Sequence, residues 1–244
     1  SYDYLFGQEQ SPGAVPSNIA EPLGRSTAIA IDTKGNLRNL NVAGIASAYD
    51  YDDKGRRIKE TDGSGAATTY TFDANGNELT RTVTRTVGAT TRTETTTSVY
   101  DADNRLIQQT DPTGAITRTS YNSAGKPVTQ TDALGRITRY SYDANARPTR
   151  TEHPDGTAES TAYDANGNET ARSDRQGRTT RMTYDELDRL VATTHPDGTS
   201  TRTEYDSAGR VLATIDAANQ RTSNEYDAAG RMTASIDASG RRTE

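Results

Sequence analysis

The chain lacks most of the residues from which hydrophobic cores are built. Its 244 residues contain no Cys and no Trp, and only two Phe and two Met. Without Cys no disulfide can form, and the sequence therefore does not indicate whether the protein resides in an oxidising or a reducing compartment. Leu, Ile, Val and Phe together number 30, about 12% of the chain, which is below the roughly 20% under which disorder becomes a serious alternative. An ordinary globular core is therefore excluded.

Membrane spans and nucleic-acid binding also lack a signal. No apolar run approaches the ~18 residues of a membrane-spanning helix, and the first residues do not form the basic and then apolar segment of a signal peptide. The net charge is −6, whereas nucleic-acid-binding domains carry a basic footprint. A charge of this size is also too modest for disorder by composition. We expect an ordered chain with no membrane span and no nucleic-acid partner.

Catalytic and metal-binding motifs are missing as well. The chain has no Cys nucleophile, no Gly-x-Ser-x-Gly elbow and no Walker-type phosphate loop. His153 and His195 each open a His-Pro-Asp-Gly turn, and they could meet at a metal, but the better interpretation is that each takes the Asp position of a turn. The turns that begin at Asp73 and Asp164 lack the further acids and the twelfth-position Glu of a calcium loop. We expect no catalytic residue, no metal and no cofactor.

What the chain has instead is a repeat. Nine aromatic residues, each followed by Asp or Asn, are separated by 21 residues, except for one step of 28. A fixed period of this size marks an architecture in which each unit packs on its neighbours. The predicted structural ladder is Tyr51, Phe72, Tyr100, Tyr121, Tyr142, Tyr163, Tyr184, Tyr205 and Tyr226.

Each repeat contains two predicted turns of the form Asp-x-x-Gly. Asp can bond its own backbone two residues on, and Gly accepts a positive φ; Asn104 and Asn219, which replace Gly, also tolerate left-handed geometry. The first turn directly follows the aromatic residue, at Asp52 to Gly55, Asp73 to Gly76, Asp164 to Gly167, Asp206 to Gly209 and Asp227 to Gly230. The second comes ten residues later, as at Asp62, Asp111, Asp132, Asp174 and Asp237.

The segments between the turns predict strands. They are six or seven residues long and rich in the 40 Thr residues of the chain, which suit a half-exposed pleated surface. Gly and Asp every ten or eleven residues interrupt any helix. The predicted fold is all-β, a long antiparallel β-strip of successive hairpins that curls into a spiral or partial shell. We expect Tyr–aliphatic packing to dominate its stability, with exposed Arg–Asp pairs adding about 0–1 kcal/mol each.

Three segments follow from the pattern. Residues 1–25 lack it and are predicted to be a leader or linker that is extended or lies over the sheet, and residues 26–48 form a degenerate first repeat. Residues 49–244 form the repeat strip, with an extended hairpin at 77–100 that absorbs seven extra residues as one to two further residue pairs. Because position 1 is Ser and the chain stops within a repeat, we expect a piece of a longer protein.

Several segments resemble the YD repeats of the RHS family. Close instances are Asp132-Ala-Leu-Gly-Arg-Ile-Thr-Arg-Tyr-Ser-Tyr-Asp143 and Tyr226-Asp-Ala-Ala-Gly-Arg-Met-Thr233, and the resemblance covers roughly residues 45–244. It implies a β-strip that spirals into a hollow shell. In bacterial RHS toxins, the C subunits of insecticidal ABC toxins and wall-associated contact toxins, such a shell holds a C-terminal toxin, and in the similar teneurins it serves adhesion. The Asp-Pro-x-Gly-Leu self-cleavage motif of the bacterial shells is not matched, because Ala115 follows Asp111-Pro-Thr-Gly114.

The resemblance implies a structural, non-catalytic module in the wall of such a shell. Its expected partners are the remainder of its own shell and an enclosed C-terminal polypeptide cargo, and its expected location is secreted or at the cell surface after export by a dedicated system. The alternative is an extracellular or cell-surface structural or adhesive element that self-associates through open sheet edges, for example into filaments.

Overall fold

The structure is a computed structural model that describes residues 16–20 and 26–244. Every regular element in these ranges is a strand. Two compact units divide the chain, one ending at Arg118 and the other beginning at Thr119. The prediction for residues 1–15 and 21–25 lies outside the described residues.

The first unit contains β1 to β9 and the start of β10. Its strands are β1 (Pro16–Ala20), β2 (Ser26–Ile31), β3 (Leu37–Val42), β4 (Ile45–Tyr51), β5 (Arg57–Thr61), β6 (Ala67–Phe72), β7 (Glu78–Val87), β8 (Thr90–Tyr100), β9 (Leu106–Thr110) and β10 (Ile116–Tyr121). Residues 16–20 of the predicted leader pair with β2 as an antiparallel edge strand, so this part of the leader extends the sheet and does not lie over it.

The second unit continues the same alternation of short strands and turns. Its strands after β10 are β11 (Pro127–Thr131), β12 (Ile137–Tyr142), β13 (Pro148–Glu152), β14 (Ala158–Tyr163), β15 (Glu169–Ser173), β16 (Thr179–Tyr184), β17 (Leu190–Thr194), β18 (Ser200–Tyr205), β19 (Val211–Ile215), β20 (Arg221–Tyr226), β21 (Met232–Ile236) and β22 (Arg242–Thr243).

Within each unit every strand pairs antiparallel with the next strand along the chain. In the second unit, for example, Thr151 of β13 lies opposite Glu159 of β14, and Ala162 of β14 lies opposite Ala171 of β15. Strand contacts within the units occur only between consecutive strands. The predicted all-β architecture of successive antiparallel hairpins is therefore confirmed.

The turn after each ring residue is a type I turn closed by a left-handed residue and followed by a bulge. At Asp206 the Gly209 amide donates to the Asp206 carbonyl at 3.0 Å, and the Asp206 amide donates to the Arg210 carbonyl at 2.9 Å. The Asp206 Oδ1 accepts the amides of Ala208 and Arg210, each at 2.9 Å. The register shifts between Glu204 and Tyr205, because Tyr205 pairs with Val211 whereas Glu204 pairs with Ala213, which leaves Leu212 as one extra residue in β19.

Four residues other than Gly take the left-handed position in the described first and second turns, three of them in first turns and Asn219 in a second turn. Asn104 and Asn219, at φ of 62° and 64°, confirm the expectation for Asn in place of Gly. Ala146 and Asp188 occupy the same position at φ of 60° and 59°, which the sequence pattern did not indicate. Ala in this conformation is strained, because its Cβ approaches the following carbonyl oxygen.

Neither unit has a hydrophobic core in its described residues. Side chains alternate between two faces, and the face that carries the aromatic rings (the ring face) is the less exposed one, as in β12, where Tyr140 and Tyr142 are half-buried and Arg139 and Ser141 are exposed. Among the described residues, the only buried apolar ones are Ala213 and Ala234, and no large side chain is fully buried. Within each unit the described strands form a single layer, so the rings are half-buried.

The seven-residue insertion lengthens one hairpin by more than predicted. Strands β7 and β8 pair at eight positions, from Thr80 opposite Thr97 to Val87 opposite Thr90, whereas β5 and β6 pair at three. The reason is that a two-residue turn at Gly88 and Ala89 replaces the five-residue bulged loop, which frees residues for the strands. Thr hydroxyls bond across one face of this hairpin, as between Thr82 and Thr95 at 3.0 Å.

Candidate functional site: the interface between repeats

The polar residues that the sequence marks as important meet at the first turns, meaning the turns that directly follow the ring residues. There the Asp side chain organises the loop. Hydrogen bonds from the side chain and the backbone amide of Arg105 hold the pKa of Asp101 below its ordinary value. In the Asp73 and Asp164 turns, the carboxylates accept backbone amides and the amide groups of Asn77 and Asn168. The Asp side chains of these two turns therefore bind backbone and side-chain amides of their own loops.

The Arg that ends a first turn reaches across to the next repeat. Arg147 donates from Nε to Oδ2 of Asp143 in its own turn at 2.6 Å. Its Cζ lies 4.5 Å from the centroid of the Tyr163 ring in the following repeat, and its Nη1 lies 3.4 Å from the Asp164 carbonyl oxygen. One guanidinium thus combines an ion pair, a cation–π contact and a backbone hydrogen bond.

The same arrangement recurs along both units. Each of these Arg side chains lies over the aromatic ring 16 residues further along the chain, with a Cζ-to-centroid distance between 4.5 and 4.8 Å. The pairs are Arg56 with Phe72, Arg147 with Tyr163, Arg189 with Tyr205, and Arg210 with Tyr226. These Arg side chains are only 25% to 35% exposed, although the expectation was of exposed pairs.

The rings are also bonded to the preceding repeat by their hydroxyl groups. Tyr184 donates to the Glu169 carbonyl at 3.0 Å, Tyr205 to the Leu190 carbonyl at 3.2 Å, and Tyr226 to the Val211 carbonyl at 2.8 Å. Tyr142 donates in the same way to the Pro127 carbonyl at 2.8 Å. In Tyr205 and Tyr226, therefore, the ring face and the hydroxyl group both bind the repeat that comes before.

Two junctions have Asn in place of Arg and use a different set of bonds. The Asn168 amide donates to Oδ2 of Asp164 at 3.1 Å and to Oδ1 of Asp188 in the next repeat at 2.6 Å. Asn77 likewise donates to Asp73 and, at 2.7 Å, to the side-chain oxygen of Asn104. At both junctions the acceptor is the side chain of a left-handed residue.

The Arg residues that end the described second turns show no such bridging, although Arg175, inside one of these turns, donates to Asp155 Oδ2 at 2.7 Å and to the Thr157 hydroxyl at 3.0 Å in the preceding second turn. Arg136, Arg178 and Arg241 each bond the Asp of their own turn at 2.7 to 3.1 Å, and their side chains are 61% to 81% exposed. The two His residues occupy the Asp position of second turns, where their amides donate to Thr157 and Thr199 carbonyls. Four strands separate His153 from His195, a distance of roughly 19 Å at ~4.8 Å per strand, so they do not share a metal.

Sequence reasoning found the ring ladder and the turns but missed the contacts that join repeats. It placed the Arg residues beside the Asp turns and left them in solvent. A usable signal was present, because a first-turn Arg precedes the next aromatic residue by 16 positions in each bridged junction. Chemically, the arrangement stacks hairpins and fixes their register.

Comparisons with known proteins agree with this repeat. A family model described as RHS Repeat matches residues 51–90, 100–130, 121–158, 163–200 and 205–242, which is well over half of the chain. A comparison with the curated proteins found no match. No helix with the length and apolar character needed for a membrane crossing occurs in the described part of the chain.

Solved toxin structures show similarity over most of this chain. A crystal structure of TcdB2-TccC3-Cdc42 is 12% identical, with a TM-score of 0.42, over 92% of this chain and 18% of that one. A Photorhabdus luminescens Tc holotoxin pore with a TccC3 mutation is 14% identical, with a TM-score of 0.43, over 89% of this chain and 15% of that one. The chain thus spans less than a fifth of those structures. On the strength of the repeat model, the chain belongs to the RHS repeat family.

Proposed function

We propose that the chain is a structural, non-catalytic segment of the wall of an RHS-type shell that encloses a polypeptide, toxin-like cargo. The observation that carries this proposal is the single layer of sheet in each unit. Among the described residues of each unit, strands contact only their neighbours along the chain, and no large side chain is fully buried. A sheet of this kind has area on two faces but no interior of its own, which is the property that a wall requires.

The chemistry of the two faces supports the same role. In the second unit, Arg139 with Glu152 and Arg221 with Glu204 form ion pairs on the face opposite the rings. The ring face carries Thr side chains and Tyr hydroxyls between the half-buried rings. Both faces therefore offer hydrogen-bonding groups more than continuous apolar area, so either one contacts an enclosed chain without the strong hydrophobic adhesion that would hold it in place.

The proposed partners are the remainder of the same shell and the polypeptide inside it, and the proposed location is outside the producing cell or at its surface after dedicated export. Membership of the repeat family supports the shell, since repeat arrays of this kind build extended surfaces. Fold alone does not establish function, and the enclosed cargo therefore needs a direct test.

The test uses the full-length parent protein purified from its native host. Electron microscopy is expected to show hollow particles, and limited proteolysis is expected to leave an internal polypeptide protected until the shell is denatured. Long fibres in place of hollow particles favour the alternative, a surface filament joined through sheet edges. Particles that protect no polypeptide contradict the proposal.

The non-catalytic part of the proposal has its own test. Substitution of both His153 and His195 by Ala is expected to leave every activity of the parent protein unchanged, because both residues serve turns. Loss of an activity while the particles remain intact would show that the wall takes part in chemistry.

A further inference from the structure

The residue that ends each first turn, which we call the junction residue, correlates with the left-handed residue of the next first turn. From the turn at Asp52 onwards, the next left-handed residue is Gly wherever the junction residue is Arg, and it is not Gly wherever the junction residue is Asn or Lys. The Arg cases are Arg56 and Gly76, Arg105 and Gly125, Arg147 and Gly167, Arg189 and Gly209, and Arg210 and Gly230. The other cases are Asn77 and Asn104, Lys126 and Ala146, and Asn168 and Asp188.

The Arg cases have a steric cause. A Cβ atom placed on Gly167 would lie 3.3 Å from Nη1 of Arg147, which is tighter than ordinary contact, and on Gly230 it would lie 3.5 Å from Nη1 of Arg210, in van der Waals contact. The guanidinium therefore lies directly against the place where a side chain at this position would begin. By contrast, a Cβ on the second-turn residues Gly177 or Gly198 would meet nothing within 4 Å. Gly at a first turn is thus favoured by the contact with the preceding repeat as well as by the positive φ of its position.

The Asn cases have the complementary cause. The short amide does not reach the next ring, and it needs an oxygen acceptor that Gly cannot provide. Asp188 supplies one by accepting from Asn166 at 2.8 Å and from Asn168 at 2.6 Å. Asn104 accepts from Asn75 and Asn77 at 2.8 and 2.7 Å. The side chain that the Arg junction excludes is the one that the Asn junction uses.

The degenerate first junction differs in one respect. Asn36 precedes Gly55 there, but Arg38, two residues further along, forms the ion pair with Asp32 at 3.3 Å. Arg38 also lies over the Tyr51 ring, at 5.8 Å from its centroid. A guanidinium is again present where the next left-handed residue is Gly, although here it belongs to Arg38 and not to the junction residue.

We propose that the junction residue and the next left-handed residue form a nearest-neighbour recognition code between repeats. An Arg junction accepts a hairpin that offers an aromatic ring above a Gly turn. An Asn junction accepts a hairpin whose left-handed residue offers a carbonyl or carboxylate oxygen. The partner recognised is the next hairpin, and the code distinguishes hairpins whose strands and turns are otherwise nearly alike. The code discriminates in the way that other specific interfaces do. The matched pair makes favourable contacts, and a mismatched pair leaves a steric clash or an unsatisfied polar group.

The test is a double-mutant cycle in the intact 244-residue chain, with Arg147→Asn, Gly167→Asn and the double variant, which recreates the pairing of Asn77 with Asn104. Hydrogen exchange of the amides in the Asp143 and Asp164 turns is the measurement. We expect each single variant to speed exchange about tenfold and the double variant to return within about threefold of the parent. Two independent effects, whose fold-changes multiply in the double variant, would overturn the code.

The matched control is the same cycle at the second turns, with Arg178→Asn and Gly198→Asn. Because no contact joins these positions, their effects are expected to multiply. Should a variant at Gly167 fail to fold, the reverse cycle with Asn77→Arg and Asn104→Gly decides the question. Recovery of slow exchange in that double variant supports the code, and its absence overturns it.

Discussion

The first and second turns have the same backbone design but join the hairpins to very different degrees. In both, an Asp carboxylate accepts two backbone amides and the side chain of an Arg four residues on, as at Asp143 with Arg147 and at Asp174 with Arg178. Yet the side chain of Arg147 is 25% exposed and that of Arg178 is 65% exposed. This difference in exposure shows that the hydrogen bonds within a turn are not enough to join one repeat to the next.

What distinguishes the first turns is the aromatic residue immediately before each of them. The ring of the next repeat gives the guanidinium a surface to cover, and the turn that follows the ring gives it a carbonyl to bond. At the second turns the preceding residue is not aromatic, as at Ser173 and Ile215. One edge of the hairpins is therefore cross-linked by Arg and aromatic side chains, while at the other edge the Arg that ends a turn bonds within that turn and Arg175 reaches the preceding turn through an exposed ion pair.

Removal of a ring is expected to produce the largest effect. Tyr163→Ala should lower the free energy of unfolding of the second unit by about 2–3 kcal/mol, roughly half the cost of deleting a fully buried aromatic residue, because the ring is half-buried. Urea denaturation followed by circular dichroism measures it. Thr194→Ala, an exposed residue that precedes a second turn, should change the same quantity by less than ~0.5 kcal/mol. Equal changes in the free energy of unfolding for the two variants would contradict the stronger cross-linking at the first-turn edge.

Removal of the guanidinium tests the comparison more directly. Arg147→Ala should cost about 1–2 kcal/mol, since it loses a partly shielded ion pair and a cation–π contact. Arg178→Ala loses an exposed pair only and should cost less than ~1 kcal/mol. Arg147→Lys is expected to resemble the Ala variant, because an ammonium cannot bond Asp143 and cover the ring in one plane. If Lys restores full stability, planar geometry is unimportant here.

Relief of backbone strain should produce a smaller effect of opposite sign. Ala146→Gly is expected to stabilise the second unit by about 0.5–1 kcal/mol, because Ala146 holds a φ of 60° and Gly takes this conformation without strain. Ala208→Gly, in a turn position without a positive φ, should be neutral or slightly destabilising. Thermal unfolding of the two variants beside the parent gives the sign, and a loss of stability in Ala146→Gly would contradict the strain.

Acid should weaken turns at both edges alike. Hydrogen bonds from the backbone amide and the side chain of Arg147 outweigh desolvation and hold the pKa of Asp143 below its ordinary 3.8, and the Arg178 side chain and backbone amide do the same for the pKa of Asp174. Because these folded pKa values lie below the unfolded ones, the carboxylates stabilise the fold fully above about pH 4. This stabilisation is lost as the pH falls through the folded pKa.

Asp143→Asn separates turn titration from general acid denaturation. Asn can replace Asp in this turn, since Asn122 Oδ1 accepts the amides of Ala124 and Lys126 at 3.0 and 2.9 Å. The shift in urea midpoint between pH 7 and pH 3 should be smaller in this variant than in the parent. An equal shift would mean that other groups govern the acid response.

The strand order, the turn positions and the hairpin pairing could be predicted from the sequence because each depends on local rules. Asp and Gly at fixed offsets mark the turns, and residues two apart share a face. The bridging by Arg147 and the strained φ of Ala146 could not be predicted from the sequence, because each depends on which neighbouring residue a side chain contacts. The length of the extended hairpin was underestimated, because only the seven inserted residues were counted and not those that the short turn at Gly88 and Ala89 releases to the strands.

Contacts that run only between consecutive strands have a consequence for how such a chain is taken apart. Within a unit, detaching the outermost hairpin breaks a single boundary, whereas pulling on a middle hairpin must break two. Disassembly is therefore cheapest from an end, one hairpin at a time, and reassembly needs no contacts between residues far apart in sequence.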